Sequence, residues 1–458
     1  MLERRFSSDS FASIFLILAL FSSSAFSQSR DKPKLKDFGS SLKKLKWDPS
    51  QNGAVETKSN SKGDRNSTPD DVVRVETLLV QSDVLVLDNR GQPVRGLTAD
   101  NFVVTEDGKP QQVGTFSLGD NLKVPRSIVL VVDYGCLQLP FVRASMTAAR
   151  TLVDKLSATD RMAIVTDDIE LLIDFTNDKK KLKEKLDEVA GRQFAWRAKL
   201  PGLAESDIRP DRFKRLPMPF GRGLQYSALM AVLKEAFNDE DERPIVIFQT
   251  DGSEIANLRN SNILEGVPPG LPPDLKAYAE QKVARRRKYL EKNPGEFSIN
   301  DVYKAAEKSH ATIYSVVPSL RFIGLKPEER APQMRTYLAR YTAGLELDTA
   351  RKHTANYLKH GTDETFNWDA DNLIKQQSAL AVLSTITGGW IEFFDQPTQA
   401  DEIYSRILAD MNQRYLVGYY PTNKEHDGKR RKISITVREH PEYTVMSHKA
   451  YYAPAPDR

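Results

Sequence analysis

Two unbroken apolar runs, each closing on an acidic residue, constrain this chain more than any other feature. Residues 127–132 read Ser-Ile-Val-Leu-Val-Val and meet Asp133 at once, and residues 244–249 read Pro-Ile-Val-Ile-Phe-Gln and lead into Thr250-Asp251-Gly252. A strand without polar alternation must be covered on both faces, as inner strands of a helix-clad parallel sheet are. The intervening sequence supplies the cover. Val142, Met146, Ala149, Val153 and Leu156 recur at steps of four and three, the spacing of one helix face, over residues 139–156. Strands are predicted at 161–166, 171–176, 311–317 and 390–394, and helices at 178–190, 224–237, 299–310, 372–387 and 400–412. Such alternation predicts an α/β fold: a doubly wound, mostly parallel sheet with helices on both faces and right-handed crossovers over residues 124–413.

Three stretches interrupt that pattern and read as insertions: 192–223, 254–298 and 319–371. The first two carry Pro201, Pro210, Pro217, Pro219, Pro268, Pro269, Pro272 and Pro273, so they are expected as long surface loops with a helix at 274–290. Before the α/β region, residues 72–118 form a β module, with strands around Val84–Leu87, at 102–104 and at 112–117 and a turn at Glu106-Asp107-Gly108-Lys109-Pro110. So few strands make a thin core. The far end, 414–458, offers more at 415–420, 432–437 and 443–446, and both ends are expected to build one small β-sandwich-like module.

The first 27 residues read as a cleaved signal peptide: Arg4 and Arg5, an apolar run at 11–21, then Ala25-Phe26-Ser27. The run is near half of the roughly 20 residues that a membrane helix needs, so membrane contact is expected only through this removed segment. Residues 28–71, rich in Lys, Asp, Ser, Asn and Gly, read as a disordered linker. The protein is thus expected to be secreted or periplasmic. A single Cys in 458 residues excludes an intramolecular disulfide framework and thiolate-rich metal sites. With 66 Lys and Arg against 62 Asp and Glu, the net charge of +4 does not point to a polyanion, and no nucleic-acid partner is expected.

In an open parallel sheet, ligands sit beyond the carboxyl ends of the strands where the strand order reverses. Asp133 and Asp251 fall there. Two carboxylates on one edge can hold a hard cation such as Mg2+, with waters filling the sphere. They can equally cap loops by accepting backbone N–H groups at helix starts, and the sequence leaves both readings open.

The strand ending in Asp133, the helix start Gly223-Leu224-Gln225-Tyr226-Ser227-Ala228-Leu229 and the strand ending in Thr250-Asp251-Gly252 resemble a von Willebrand factor type A (VWA) domain. Gly91-Gln92-Pro93-Val94, Gly96-Leu97-Thr98, Asn101-Phe102, Glu106-Asp107-Gly108-Lys109-Pro110-Gln111 and Tyr415-Leu416-Val417-Gly418-Tyr419-Tyr420-Pro421 are similar to exported VWA-related proteins of the acidobacterial type. The resemblance covers residues 72–452 less the insertions. It implies a Rossmann-like α/β domain and a metal-ion-dependent adhesion site made of Asp-x-Ser-x-Ser, a Thr and a further Asp. Here the turn reads Asp133-Tyr134-Gly135-Cys136-Leu137, and the Thr position falls at Gly223. Only Asp133 and Asp251 remain of five ligands, which implies a degenerate site with weak Mg2+ binding at most and no other cofactor.

No catalytic residue is assigned. The six His residues show no zinc spacing, and no phosphate loop or nucleophile elbow appears. The expectation is a non-enzymatic protein–protein interaction or adhesion protein that binds a protein or cell-envelope component through the loops of Tyr134, Gly135, Gly223, Gly252 and Ser253, with little metal dependence. The alternatives are a Mg2+-dependent adhesion protein with Ser227 or Ser253 as substitute ligands, and an exported enzyme with its catalytic groups in the insertions.

Overall fold

The structure, a computed structural model, describes residues 45–48, 53–56, 78–118, 125–133, 139–167, 171–191, 224–237, 243–261, 266–271, 273–292, 297–344 and 348–455. The expected signal segment, the loop 134–138 and the insertion 192–223 lie outside them. In the stretch expected as a structureless linker, β1 (Leu45–Asp48) and β2 (Gly53–Glu56) pair as an antiparallel ribbon. Leu45 and Trp47 do alternate with Lys46 and Asp48, but four residues are too short a period to read as a strand.

The central sheet has six strands: β7 (Arg126–Val132), β8 (Arg161–Thr166), β9 (Leu171–Thr176), β10 (Arg243–Gln249), β11 (Thr312–Val317) and β12 (Ile391–Phe393), in the order β12-β11-β10-β7-β8-β9. Counted along the chain this is 3-2-1-4-5-6, the doubly wound order that reverses between β7 and β10. All neighbours run parallel except β8 and β9. Only residues 167–170 join those two, far too few for a parallel crossover.

Both faces are clad. On one side Ile128, Leu130 and Val132 meet α1 (Leu139–Lys155), α2 (Lys179–Gly191) and α9 (Ala400–Gln413), through Met146, Leu186 and Ile407 among others. On the other, Val129 and Val131 face α3 (Leu224–Glu235), α5 (Ile299–Ser309) and α8 (Asp363–Ile386), through Leu229, Val302 and Leu383. Alternate residues of one strand thus enter opposite cores, and this is why β7 carries no polar residue between Ile128 and Val132.

Two of the three stretches set apart as insertions lie among the described residues, and both contain helix. Residues 254–298 contain α4 (Pro273–Lys292), slightly longer than the helix expected there. Residues 319–371 are largely helical: α6 (Pro327–Gly344), α7 (Asp348–His360) and the first turns of α8. The helix expected to begin at 372 begins nine residues earlier, at Asp363. Its N-cap is Thr362, whose side chain accepts from the Thr365 N–H; a Thr-x-x-Thr start lacks the acidic N3 residue that marks a capping box in sequence. α8 also buries polar Asp369, Asn372, Gln376 and Gln377 beside Phe366 and Leu373, so no one-sided apolar stripe betrays it. Phe322, Met334, Leu338, Tyr357 and Phe366 make a satellite core for this helical group.

Both ends of the chain supply strands to two four-stranded antiparallel sheets. One has the order β15 (Thr444–Met446), β3 (Val80–Leu87), β13 (Tyr415–Tyr419), β6 (Val113–Leu118), and the other β16 (Ala450–Tyr452), β14 (Arg430–Val437), β4 (Phe102–Glu106), β5 (Lys109–Gln111). Val84, Val417 and Tyr419 of the first and Val104, Ile435 and Tyr451 of the second fall in one apolar cluster. Glu106 is buried in it and accepts from Tyr419 Oη and Tyr451 Oη, both at 2.9 Å.

The joint to the central sheet is polar and buried. Asp83 of β3 pairs with Arg243 at the start of β10, Oδ1 to Nη2 2.6 Å. Arg414, between α9 and β13, pairs with Asp410 (Nε to Oδ1 2.6 Å) and donates to the Gly388 carbonyl at 2.8 Å. His448 bridges Thr387 and places Nε2 3.3 Å from the Ala311 carbonyl.

Deleting residues 429–458 removes β14 to β16, so limited proteolysis should then cut within 78–118; unchanged protection there would mean that the two ends do not depend on each other. Burial, followed by the charges of His310 and Arg414 and against those of Asp83 and the Ala311 carbonyl, pushes His448 down to about 4. Its folded value lies below its unfolded value of about 6.5, so its contribution is intact above pH 6.5 and about 3 kcal/mol is lost as pH falls towards 4. Urea midpoints measured from pH 7 to 4.5 should fall more steeply for the native chain than for His448→Gln.

Candidate functional site

β7 and β10 pair in register from Arg126 opposite Arg243 to Val132 opposite Gln249. The next residues, Asp133 and Thr250, therefore leave the sheet side by side at its carboxyl edge, where the strand order reverses. Asp133 stays tied to the sheet by its N–H to the Gln249 carbonyl (3.0 Å), and Thr250 by its N–H to Val316 (3.1 Å). Asp133 is only 2% exposed, so its carboxylate must be satisfied from within the protein.

Gln225, in the first turn of α3, does so. Its Nε2 donates to Asp133 Oδ2 at 2.6 Å and to Asp251 Oδ1 at 3.0 Å, one amide spanning both acids. Its Oε1 accepts from the Glu254 N–H at 3.1 Å, and its own N–H donates to Glu254 Oε2 at 2.6 Å. The amide orientation follows from these partners, since carboxylates only accept and N–H groups only donate. Glu254 is buried and receives a backbone donor at the start of α3, where the helix dipole favours negative charge. Thr250 Oγ1 donates to Asp133 Oδ2 at 3.2 Å and accepts from the Gly252 N–H at 3.0 Å, and the Ser253 N–H donates to Asp251 Oδ1 at 2.9 Å.

The loop after β10 turns inward under α8. Gly252 has φ +70°, and a Cβ there would come within 2.8 Å of Leu380 Cδ1, so both backbone and space demand glycine. Tyr226, fully buried below the loop, has its hydroxyl pushed well above the ordinary tyrosine range, first by burial and then by Tyr303, Asp251 and Glu254. Burial, with a smaller contribution from the Asp251 charge, also raises the Tyr337 hydroxyl of α6 above the ordinary tyrosine range.

Of the residues singled out in the sequence, Asp133 and Asp251 meet at one donor, Gly252 packs beneath Leu380, and Ser253 contributes its backbone N–H; Tyr134, Gly135 and Gly223 lie outside the described residues. Thr250, quoted in the sequence only as the end of an apolar strand, adds a hydroxyl to this edge. Gln225 and Glu254 were missed as well. Gln225 stood in the quoted helix start, but its reach across to two other loops has no signature in one chain. Glu254 carried one mark, an acid three residues past Asp251 in the loop that follows β10. Among the described residues no group of three or more His, Cys, Asp or Glu is placed to hold a metal ion, and no helix is long and apolar enough to cross a membrane.

No protein-family model matches the chain, and no curated protein matches it significantly. Among solved structures it is similar to the vWF domain of the type V pili tip protein Mfa5 from Porphyromonas gingivalis, at 12% identity and TM-score 0.29 over 64% of this chain and 96% of that one. It is similar to the human COPII-coat protein Sec24c at 8% identity and TM-score 0.29, over 74% of this chain and 46% of that one, less than half its length. A third likeness is to the manganese-loaded Plasmodium vivax TRAP protein, at 10% identity and TM-score 0.25, over 78% of this chain and 100% of that one. Likenesses this distant carry no argument about function, which rests on the geometry above.

Glu254→Ala leaves the Gln225 N–H without its partner at a buried helix start, and should cost about 2 kcal/mol in urea unfolding, with Glu254→Gln losing about half of that.

Proposed function

We propose that this chain is an exported, non-enzymatic interaction or adhesion protein built on a VWA-related domain, its two four-stranded sheets packed beside that domain as a β-sandwich. One observation carries the reading. At the point where an open α/β sheet ordinarily receives a small ligand, the space between Asp133 and Asp251 is filled by Gln225, and Gly252 is packed under Leu380. Among the described residues the place between the two acids is taken by a side chain of the protein itself, which favours recognition through an outer surface, the mode by which macromolecules are bound.

The partner is a protein or another component of the cell envelope. It meets Asp251 and Ser253, which keep some exposure, together with the helical insertion that rises beside them. Recognition runs on shape and polar contacts, with little need for a divalent cation. The acids are held by hydrogen bonds in place, so neither stands ready as a general base or nucleophile. Residues 1–27 direct export and are removed, which leaves the mature chain in the periplasm or the medium.

The mature chain from residue 28, tagged and incubated with native envelope extract, should retain the same partner with and without EDTA. Loss of the partner on chelation would move the reading to the Mg2+-dependent alternative, and failure to retain any envelope component would remove the interaction role.

A further inference from the structure

We infer that Gln225 is a built-in stand-in for a bridging cation: at an edge already short of three of its five expected ligands, its amide occupies the place between Asp133 and Asp251 that a divalent metal would take. The inference deepens the cation-independent reading above and rests on that reading for its bearing on partner binding; its own test needs no partner. Two carboxylates from adjacent loops and a threonine hydroxyl bring together oxygen atoms of the kind a hard cation takes. A bridging Mg2+ would have to sit about 2.0–2.1 Å from an oxygen of each acid. Gln225 Nε2 already stands between them, 2.6 Å from Asp133 Oδ2 and 3.0 Å from Asp251 Oδ1. The residues as they stand do not fit the ion.

The amide is also hard to displace. It is locked at its other end by the Glu254 N–H on Oε1, while its backbone N–H is held by Glu254 Oε2, so the side chain cannot swing away without unmaking a reciprocal pair. Gln225 is 4% exposed and has no route by which water could replace those bonds cheaply. A neutral group with two N–H donors does at this corner what a metal would otherwise do: it holds two like charges together and ties β7, β10 and α3 into one unit.

The substitution that exposes the role is Gln225→Glu. It is isosteric and can still accept from the Glu254 N–H, but it sets a third carboxylate where the donor was, and three acids at one point need a cation between them. Mn2+ binding to the mature chain, followed by electron paramagnetic resonance and by thermal melting, should be undetectable or weak in the native protein. It should be at least about tenfold tighter in Gln225→Glu, whose melting temperature should rise with Mn2+ while that of the native protein does not move. Adding Asp133→Asn to Gln225→Glu should abolish the gain. Should Gln225→Glu fail to fold, Gln225→Ser, shorter and with an oxygen in place of the amide, should show the same gain. Native Mn2+ binding that disappears with Asp133→Asn would overturn the inference, as would the absence of any gain in both variants. A native edge that binds no Mn2+ in a protein that captures no envelope partner would leave this inference standing and remove the interaction reading.

Discussion

The parallel pairing of β7 with β10 is the constraint from which the rest of the molecule follows. It runs in register through seven residue pairs, and β7 is buried along its whole length. A slip of one residue would send Ile128 and Leu130 into the wrong core, so the register is fixed by burial on both faces. At the carboxyl end it delivers Asp133 beside Thr250. At the other end it sets Arg126 against Arg243, two guanidinium groups on neighbouring strands. Each is satisfied in a different direction: Arg126 is neutralised by Asp160 and donates to the Asn412 amide oxygen, and Arg243 is neutralised by Asp83 from β3. One alignment therefore positions the candidate site and also fastens the antiparallel sheets to the central one.

That second joint is made of charges at places where water is excluded. Arg414 is 1% exposed and engages Asp410, the Gly388 carbonyl and the Asp83 carbonyl, while Trp390 Nε1 donates to the second oxygen of Asp410 at 2.6 Å. Removing one partner from such an arrangement strands a buried charge and costs several kcal/mol, whereas its net worth over apolar packing is small. Its value is geometric. Directional bonds from Arg414 permit one placement of β13 relative to α9, and β13 then brings β3 and β6 together on either side of it.

What the sequence disclosed and what it hid divide along physical lines. β7 and β10 are legible because full burial writes itself as near-continuous apolar residues. α2 is legible because Asp178, whose side chain accepts from the N–H groups of Lys180 and Lys181, marks its start. Period-two alternation at Ile433, Ile435 and Val437 gave β14 for the same reason. α6, α7 and the first turns of α8 were hidden because they pack on one another around a small core of their own, with Arg330–Asp371 and Arg335–Asp363 pairs making the sequence look like solvated loop. At the candidate site the two aspartates could be named because they end apolar strands, a local mark. Gln225 could not, because its meaning lies in distances to residues 92 and 26 positions away in the chain.

The electrostatics of that corner explain why one glutamine matters more than its neutrality suggests. Asp133, Asp251 and Glu254 concentrate negative charge in a region where the dielectric is low and repulsion between unscreened acids is costly. An ion would cancel that charge outright. Hydrogen-bond donors cancel it piecemeal, and among them are the Gln225 amide, the Gln225 N–H in the first turn of α3, the Thr250 hydroxyl and the Ser253 N–H. All four are fixed to the scaffold, so they are already oriented when the chain folds and demand no reorganisation. A metal can be lost to a chelator or exchanged for another; a covalently tethered amide cannot. The geometry of this corner is therefore set once, at folding, by groups that the chain itself carries.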